Sequence, residues 1–350
     1  MKILYGIQGT GNGHITRARM MAASFKKLGV EVDYLFSGRE QNGYFDMELF
    51  DNYRTFEGLS FITEQGSVKL WKTAKQLNFS QFYRDLQALD VSRYDLVFND
   101  FEPLSAWAAK RQGVPVVAMS HQAAFLHAEV PAPGSRYWHK ALITRFAPAD
   151  VYLGVHWQPY HKAIIPPFIA HPAHLNFCPS IANKVLVYLP FEQLSSVIEF
   201  LNDFPDREFY CYHPAATNTS LKHIHLRAPS RDGFLRDLAN SCGVVANAGF
   251  ELSSEALQLG KKLLLKPLHG QFEQQANVMT LEQMGMAQSM NYLNANALDD
   301  WLGAKSNGHY TFPNDPAPLV EWLLAKQWTN YASLHQQLWR HVQFIRDRAA

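Results

Sequence analysis

Apolar runs of strand length alternate with segments of helical spacing along this chain, and the pattern runs through once and then restarts. Lys2–Ile7 is such a run. A glycine loop follows, and His14–Leu28 then places apolar or small residues at Ile15, Ala18, Met21, Ala22, Phe25 and Leu28, one face of a helix. Gly29 suits the C-terminal cap of that helix, and Val30–Phe36 reads as the next strand. Ser67–Leu89 has helical spacing. Tyr94–Phe98 and Val114–Met119 read as strands flanking a helix over Glu102–Gln112 that Gly113 ends, and Val151–Val155 reads as a further strand. The restart brings strands at Lys184–Leu189, Glu208–Tyr212, Ile224–Leu226, Val244–Ala246 and Leu263–Lys266. Helices fall over Phe191–Asn202, after Gly249 and over Glu273–Met284. Such alternation predicts parallel sheets with helices on both faces, built twice.

The expected fold class is therefore α/β, with two Rossmann-like doubly wound parallel-sheet domains facing across a cleft. At ~150 residues per domain, 350 residues make about two. The first domain is expected over 1–165 and the second over 184–325. The linker between them, 166–183, holds Pro166, Pro167, Pro172 and Pro179 and shows no clean period. Trp322–Arg348 reads as helix beyond the second sheet. Ligands of open parallel sheets sit beyond the carboxyl ends of the strands, so functional residues are sought in the loops that follow strands.

Composition removes several function classes. Apolar residues make up 47% and charged residues 18%, which excludes a disordered chain. With 32 basic and 31 acidic residues the formal charge is +1, so no nucleic-acid partner is expected. Cys178, Cys211 and Cys242 are far apart and imply neither a disulfide framework nor a zinc knuckle. The start MKILYGIQG lacks the features of a secretory signal, and no apolar run approaches the ~18 residues of a membrane span. A cytoplasmic protein is expected.

Three strand ends of the first half carry polar groups. Gly9-Thr10-Gly11-Asn12-Gly13-His14 joins a strand to a helix. It misses the dinucleotide fingerprint by one residue, since His14 stands where G-x-G-x-x-G needs its last glycine. Glycines still permit close backbone approach to a ligand, and a helix N-terminus offers N–H groups. That positive end also disfavours an imidazolium, leaving His14 a neutral base. Asp100, in Asn99-Asp100-Phe101-Glu102-Pro103, either points into the cleft or caps the helix that follows. His121 ends the strand Val114–Met119 on the same rim.

The densest region is Val244–Met286. A strand ends at Asn247-Ala248-Gly249, and the helix beginning near Phe250 can hold a diphosphate on its first N–H groups without a metal. Glu255, one turn in, presents a carboxylate to the two hydroxyls of a ribose. The loop Pro267–Gln271 and the run Glu273-Gln274-Gln275-Ala276-Asn277 lie on the same rim, or serve as ordinary helix-start residues.

This segment resembles the donor region of GT-B glycosyltransferases. It is most similar to the bacterial lipid-linked N-acetylglucosaminyltransferases of peptidoglycan synthesis and to a broader group of related glycosyltransferases. Ser254-Glu255-Ala256, Gly260, Pro267 and Gln274-Gln275-x-Asn277 carry the likeness. Ala248-Gly249 stands for the usual Gly-Gly, and Asn12-Gly13-His14 for Gly-Gly-His. The resemblance implies that Glu255 binds the ribose, that Gln274 and Gln275 contact the sugar, and that the Gly249 and Phe250 amides bind the diphosphate. It implies that His14, at the end of the loop containing Gly11 and Gly13, borders the acceptor, with Asp100 supporting it. It also implies uracil as the base and a last helix, 326–350, that packs back on the first domain.

The reaction expected is inverting, metal-independent transfer of a sugar from a nucleoside diphosphate, UDP foremost, to an acceptor hydroxyl. His14 is the general base, oriented by Asp100 or His121. No Asp-x-Asp occurs, and no cofactor beyond the nucleotide-sugar is called for. A non-hydrolysing sugar-nucleotide 2-epimerase and a non-catalytic nucleotide-sugar-binding protein are the alternatives. His269, beside Pro267, is placed against the base or sugar. His171-x-x-His174 and His223-x-His225 have spacings a metal can use, but no neighbouring acid or cysteine pattern supports one. Ser67–Leu89 sets Trp71, Phe79 and Phe82 among Lys69, Lys72 and Lys75. That is either a core helix with a basic side or a peripheral contact with the inner face of a membrane. Acceptor recognition falls to loops such as Gln122–Ser135.

Overall fold

The computed structural model describes residues 1–44, 46–51, 53–59, 63–64, 67–68, 78–170 and 180–346. The chain divides into two compact units, the first made of 1–62, 70–168 and 312–342 and the second of 63–69, 169–311 and 343–350. The first opens with strands β1 (Lys2–Gln8), β2 (Glu31–Ser37) and β3 (Arg54–Phe56); the short antiparallel pair β4 (Thr63–Glu64) and β5 (Ser67–Val68) that comes next in the chain belongs to the second unit. The first unit continues with β6 (Leu96–Asp100), β7 (Val116–Ser120), β8 (Val151–Val155) and β9 (Ile164–Ile165). The sheet is seven-stranded in the order β3-β2-β1-β6-β7-β8-β9, parallel throughout.

Alternate residues of each strand serve opposite faces. Leu4 packs with Leu35, Val97, Leu104 and Ala108 under the helices Phe79–Ala88 and Pro103–Gln112. Tyr5 turns the other way and meets Phe98 and Phe25, with ring centroids 4.7 and 6.3 Å away. Phe25 belongs to the helix Asn12–Lys27, whose Ile15, Ala18, Met21 and Ala22 are also buried. Burial of the larger ones, Ile15, Met21 and Phe25, contributes roughly 1.5–3 kcal/mol each.

The second unit repeats the plan. Its strands are β10 (Lys184–Tyr188), β11 (Glu208–Tyr212), β12 (Thr219–Leu221), β13 (Ile224–Arg227), β14 (Gly243–Ala246), β15 (Lys262–Leu265) and β16 (Ala287–Ser289). They lie in the order β12-β13-β11-β10-β14-β15-β16, parallel except that β12 runs against β13. Val185, Val187, Val245 and Leu264 form one apolar face with Phe200, Leu298 and Trp301. A separate antiparallel pair joins β17 (Gly308–Thr311) to β18 (Gln343–Arg346).

Two expectations change. Trp322–Arg348 is not one helix, and neither is the 326–350 segment. Helices Ala317–Leu324 and Tyr331–Trp339 are separated by a turn, and β18 follows. Lys326 makes the left-handed stop at φ 55° that a glycine ordinarily marks, so the break leaves no signature in the sequence. Ser67–Val68 is strand and Asn78 is the N-cap of the helix Phe79–Ala88, so Ser67–Leu89 is not a continuous helix. Its Lys69, Trp71, Lys72 and Lys75 lie outside the described residues, as do Cys178 and the pair His171 and His174. Ile164–Ile165, which the proline-rich stretch adjoins, is the edge strand of the first sheet.

Strand order reverses between β1 and β6 in the first sheet and between β10 and β14 in the second. Such switch points open a crevice at the carboxyl ends of the strands. Beside the first of them, Gly6 lets the helix Pro103–Gln112 approach β1. A Cβ there would lie 2.0 Å from Ser105 Oγ, which accepts from Asn99 Nδ2 at 3.1 Å and donates to Glu102 Oε2 at 2.5 Å. Gly6→Ala is therefore expected to destabilise the protein by about 1–3 kcal/mol, read from urea unfolding.

Candidate active site

At the first switch point β1 ends at Gln8, and Gly11 stands as N-cap of the helix Asn12–Lys27 with no side-chain capping bond. A Cβ at Gly11 would meet nothing within 4 Å. Gly13 and His14 lie in the first turn. In register with Ile7, the last residue of β6 is Asp100. His14 Nδ1 is 2.8 Å from Asp100 Oδ1, and Arg17 Nε donates to Asp100 Oδ2 at 3.0 Å. The carboxylate is 0% exposed, the Arg17 side chain 4% and that of His14 14%. A carboxylate accepts, so Nδ1 of His14 is the donor of this bond, and in a neutral ring so held the lone pair falls on Nε2.

Asp100 is free for this role because it does not cap the next helix. Phe101 adopts φ 56°, an uncommon conformation for a residue with a side chain, and its ring packs on Phe146 with centroids 4.8 Å apart. The turn brings Glu102 to the cap position, where it accepts from Leu104 N at 2.8 Å and Ser105 N at 2.6 Å. Burial pushes the Glu102 carboxyl upward against these bonds. His121 is placed differently. Its Nδ1 meets Val155 O at 2.8 Å, its ring stacks on His156, and it is 1% exposed. Asp100, rather than His121, is the group on His14 Nδ1. Burial and His121 together hold His156 well below the usual imidazole range.

In the second unit β14 leads into Asn247-Ala248-Gly249, and Gly249 caps the helix Phe250–Gln258 with no side-chain capping bond. The first turn of such a helix presents N–H groups that its own carbonyls do not reach. Side chains from further along the chain brace this turn. Asn277 Nδ2 donates to Ala248 O, and Asn247 Nδ2 to Lys266 O, each at 2.9 Å. Gln274 Oε1 accepts from Leu268 N at 2.9 Å and shapes the loop after β15. Gln275 is half-buried and His269 exposed. Burial, with Glu251 one turn away, pushes the Glu255 carboxyl up to about 7.

Three further residues escaped the sequence reading. Arg17 sits one helical turn after His14, on the same face. Glu192 follows β10, at the second switch point, and its Oε1 lies 2.6 Å from Lys266 Nζ at the end of β15, both side chains nearly buried. Their place after strands was the available signal. His223 and His225 are occupied elsewhere, His223 with Leu201 O and His225 with Ser220 and Glu208. Among the described residues no group of three or more His, Cys, Asp or Glu is arranged to hold a metal ion, and no helix is long and apolar enough to cross a membrane.

The sequence pattern of the family described as glycosyl transferase family 1 matches residues 1–304. The chain belongs to that family. This glycosyltransferase also has the fold of several solved ones. It shares 14% identity with the glycotransferase of kitacinnamycin, covering 98% of this chain and 99% of that one, at a TM-score of 0.60. LpCGTa in complex with UDP gives 12% identity, 96% and 94% coverage and a TM-score of 0.59. MurG of Acinetobacter baumannii gives 14%, 96% and 94%, and 0.50. At these identities the likeness is one of fold, the GT-B architecture of two doubly wound sheets. No curated protein sequence matches the chain. Family membership makes the protein an enzyme of glycosyl transfer, rather than the 2-epimerase or the non-catalytic binder that the sequence left open.

Glu255 of the glycosyltransferase has a consequence for stability. A carboxyl raised from 4.5 to about 7 on folding favours the folded state at low pH and loses that contribution as pH rises between the two values. Glu255→Gln is expected to leave stability nearly unchanged at pH 4. At pH 8 it should raise it by roughly 3 kcal/mol, measured by chemical unfolding across pH.

Proposed function

We propose that this glycosyltransferase moves a sugar from a nucleoside diphosphate, UDP foremost, to an acceptor hydroxyl with inversion at the anomeric carbon. The observation that carries the reading is the His14–Asp100 pair, with Nδ1 bound at 2.8 Å to a buried carboxylate. Nε2 takes the proton of the acceptor hydroxyl as it attacks, and Asp100 stabilises the imidazolium that forms. Gly11 and Gly13 leave room for the acceptor beside His14. The first unit thus serves the acceptor and the second the donor.

The leaving diphosphate is stabilised by the first amides of the helix Phe250–Gln258, electrostatically and without a metal. Glu255, with a carboxyl poised near neutrality, pairs with the ribose hydroxyls. Gln274 and Asn277 hold the two loops in shape, which leaves Gln275 and His269 to meet the sugar and the base. Direct attack of the deprotonated hydroxyl on the anomeric carbon as the diphosphate leaves gives inversion. A structure of the same fold bound to UDP supports the choice of nucleotide.

The test is incubation with a panel of UDP-hexoses and UDP-N-acetylhexosamines and a panel of acceptor alcohols, following UDP release and the anomer formed. Acceptor-dependent UDP release with inverted product is expected, and a changed sugar still attached to its nucleotide would overturn the reading. His14→Ala should lower turnover roughly 10²-fold or more. UDP at about 100 times its Kd should stabilise the protein by ~2.7 kcal/mol in thermal unfolding, and Glu255→Ala should reduce that gain.

A further inference from the structure

We infer that Arg17 is a positioning residue for the base, holding Asp100 in the orientation and charge state that keep His14 an unprotonated acceptor between turnovers. The inference rests on the reading of His14 as general base. It starts from the way one buried carboxylate is shared. Oδ1 of Asp100 faces His14 Nδ1 at 2.8 Å, and Oδ2 takes the Arg17 Nε–H at 3.0 Å. Two donors on two oxygens fix the carboxylate plane, so that Oδ1 cannot rotate away from the imidazole.

The charges matter as much as the angles. A fully buried carboxylate beside an imidazole alone would draw a proton onto the ring and hold it. Arg17 supplies a permanent positive charge on the far oxygen, and its own burial leaves little water to screen it. The carboxylate is then already compensated when His14 is neutral. The proton that Nε2 collects is held less tightly and leaves after each transfer.

Of the other described charges near the trio, the Arg39 guanidinium bonds Gly9 O and Asn12 Oδ1 in the loop before His14. On the neighbouring strands Gly6, Ile7 and Gln8 of β1 and Ala118, Met119 and Ser120 of β7 carry no charge. Glu102, past the turn, is bound by Ser37, Leu104 and Ser105. His121 is turned to the Val155 carbonyl.

Diethyl pyrocarbonate, which modifies neutral imidazole, reads the state of His14 without any sugar substrate. The rate of labelling of the His14 peptide is followed by mass spectrometry against pH. Arg17→Met and Arg17→Gln are expected to move the midpoint of that profile to higher pH by roughly one unit, while Arg17→Lys keeps it near the wild-type position. Asp100→Asn, which removes the carboxylate's charge from beside His14, should move it to lower pH. Circular dichroism confirms which variants fold, and Asp100→Asn keeps the question open to test if both charge-removing Arg17 variants do not. A merely structural Arg17 would change folding and leave the midpoints in place. Unmoved midpoints in the folded variants, or a shift in Arg17→Lys as large as in Arg17→Met, would overturn the inference. The base reading fails separately, if His14→Ala turns over normally.

Discussion

A carboxylate removed from water needs partners, and Asp100 has an imidazole on one oxygen and a guanidinium on the other. Breaking such a pair from one side leaves an uncompensated buried charge, a loss of several kcal/mol. The local architecture is arranged around that requirement. β6 must end at Asp100, in register with Ile7 of β1, for the carboxylate to reach the first turn of the next-door helix. Phe101 must take its left-handed turn so that Glu102, and not Asp100, satisfies the following helix. The chemistry assigned to His14 depends on this chain of placements, because the proton on Nδ1 is what leaves Nε2 an acceptor.

The second unit solves a different problem by similar means. Gly249 provides no side chain to cap the helix Phe250–Gln258, and a helix start without a side-chain cap is one that can take an anion on its first amides. The turn before it would be loose without support. Asn277 and Asn247 provide that support through bonds to the Ala248 and Lys266 carbonyls, from residues up to a whole strand and helix away. Rigid presentation of amides matters because donors already aimed at a developing charge need no reorganisation when it forms. The polar residues of the Gln274–Asn277 run thus act as much on the protein as on any ligand.

Much of this architecture was legible in the residues, and the reasons are local. Helical periodicity identified Ile15, Ala18, Met21, Ala22 and Phe25 on the buried face of Asn12–Lys27, since a helix packing on a sheet must be apolar every third or fourth position, but it also placed there Leu28, which caps the helix and is 38% exposed. Glycine at 113 marked the end of the next helix through its own backbone limits. The failures are equally instructive. Lys326 stops a helix in a conformation usually reserved for glycine, held by long-range packing and by bonds such as Trp322 Nε1 to Asn330 O at 2.9 Å. β18 is an exposed strand whose only signature is its partner β17. Pairing of that kind has no trace in a single stretch of sequence.

The candidate site divides along the same line. The order of the residues by itself determined the doubly wound fold and the strand ends where polar groups gather, because these follow from periodicity, glycine and short spacing, whereas the reading of the segment around Glu255 as a donor region came from its resemblance to GT-B glycosyltransferases. Only the tertiary structure decided that His14 and Asp100 meet while His121 turns to the Val155 carbonyl, that Glu102 frees Asp100 from capping, and that Arg17 shares the carboxylate. His14 and Asp100 are 86 residues apart. Whether their side chains touch is set by strand register and helix rotation to within an ångström, and those are properties of the packed core that no local pattern encodes.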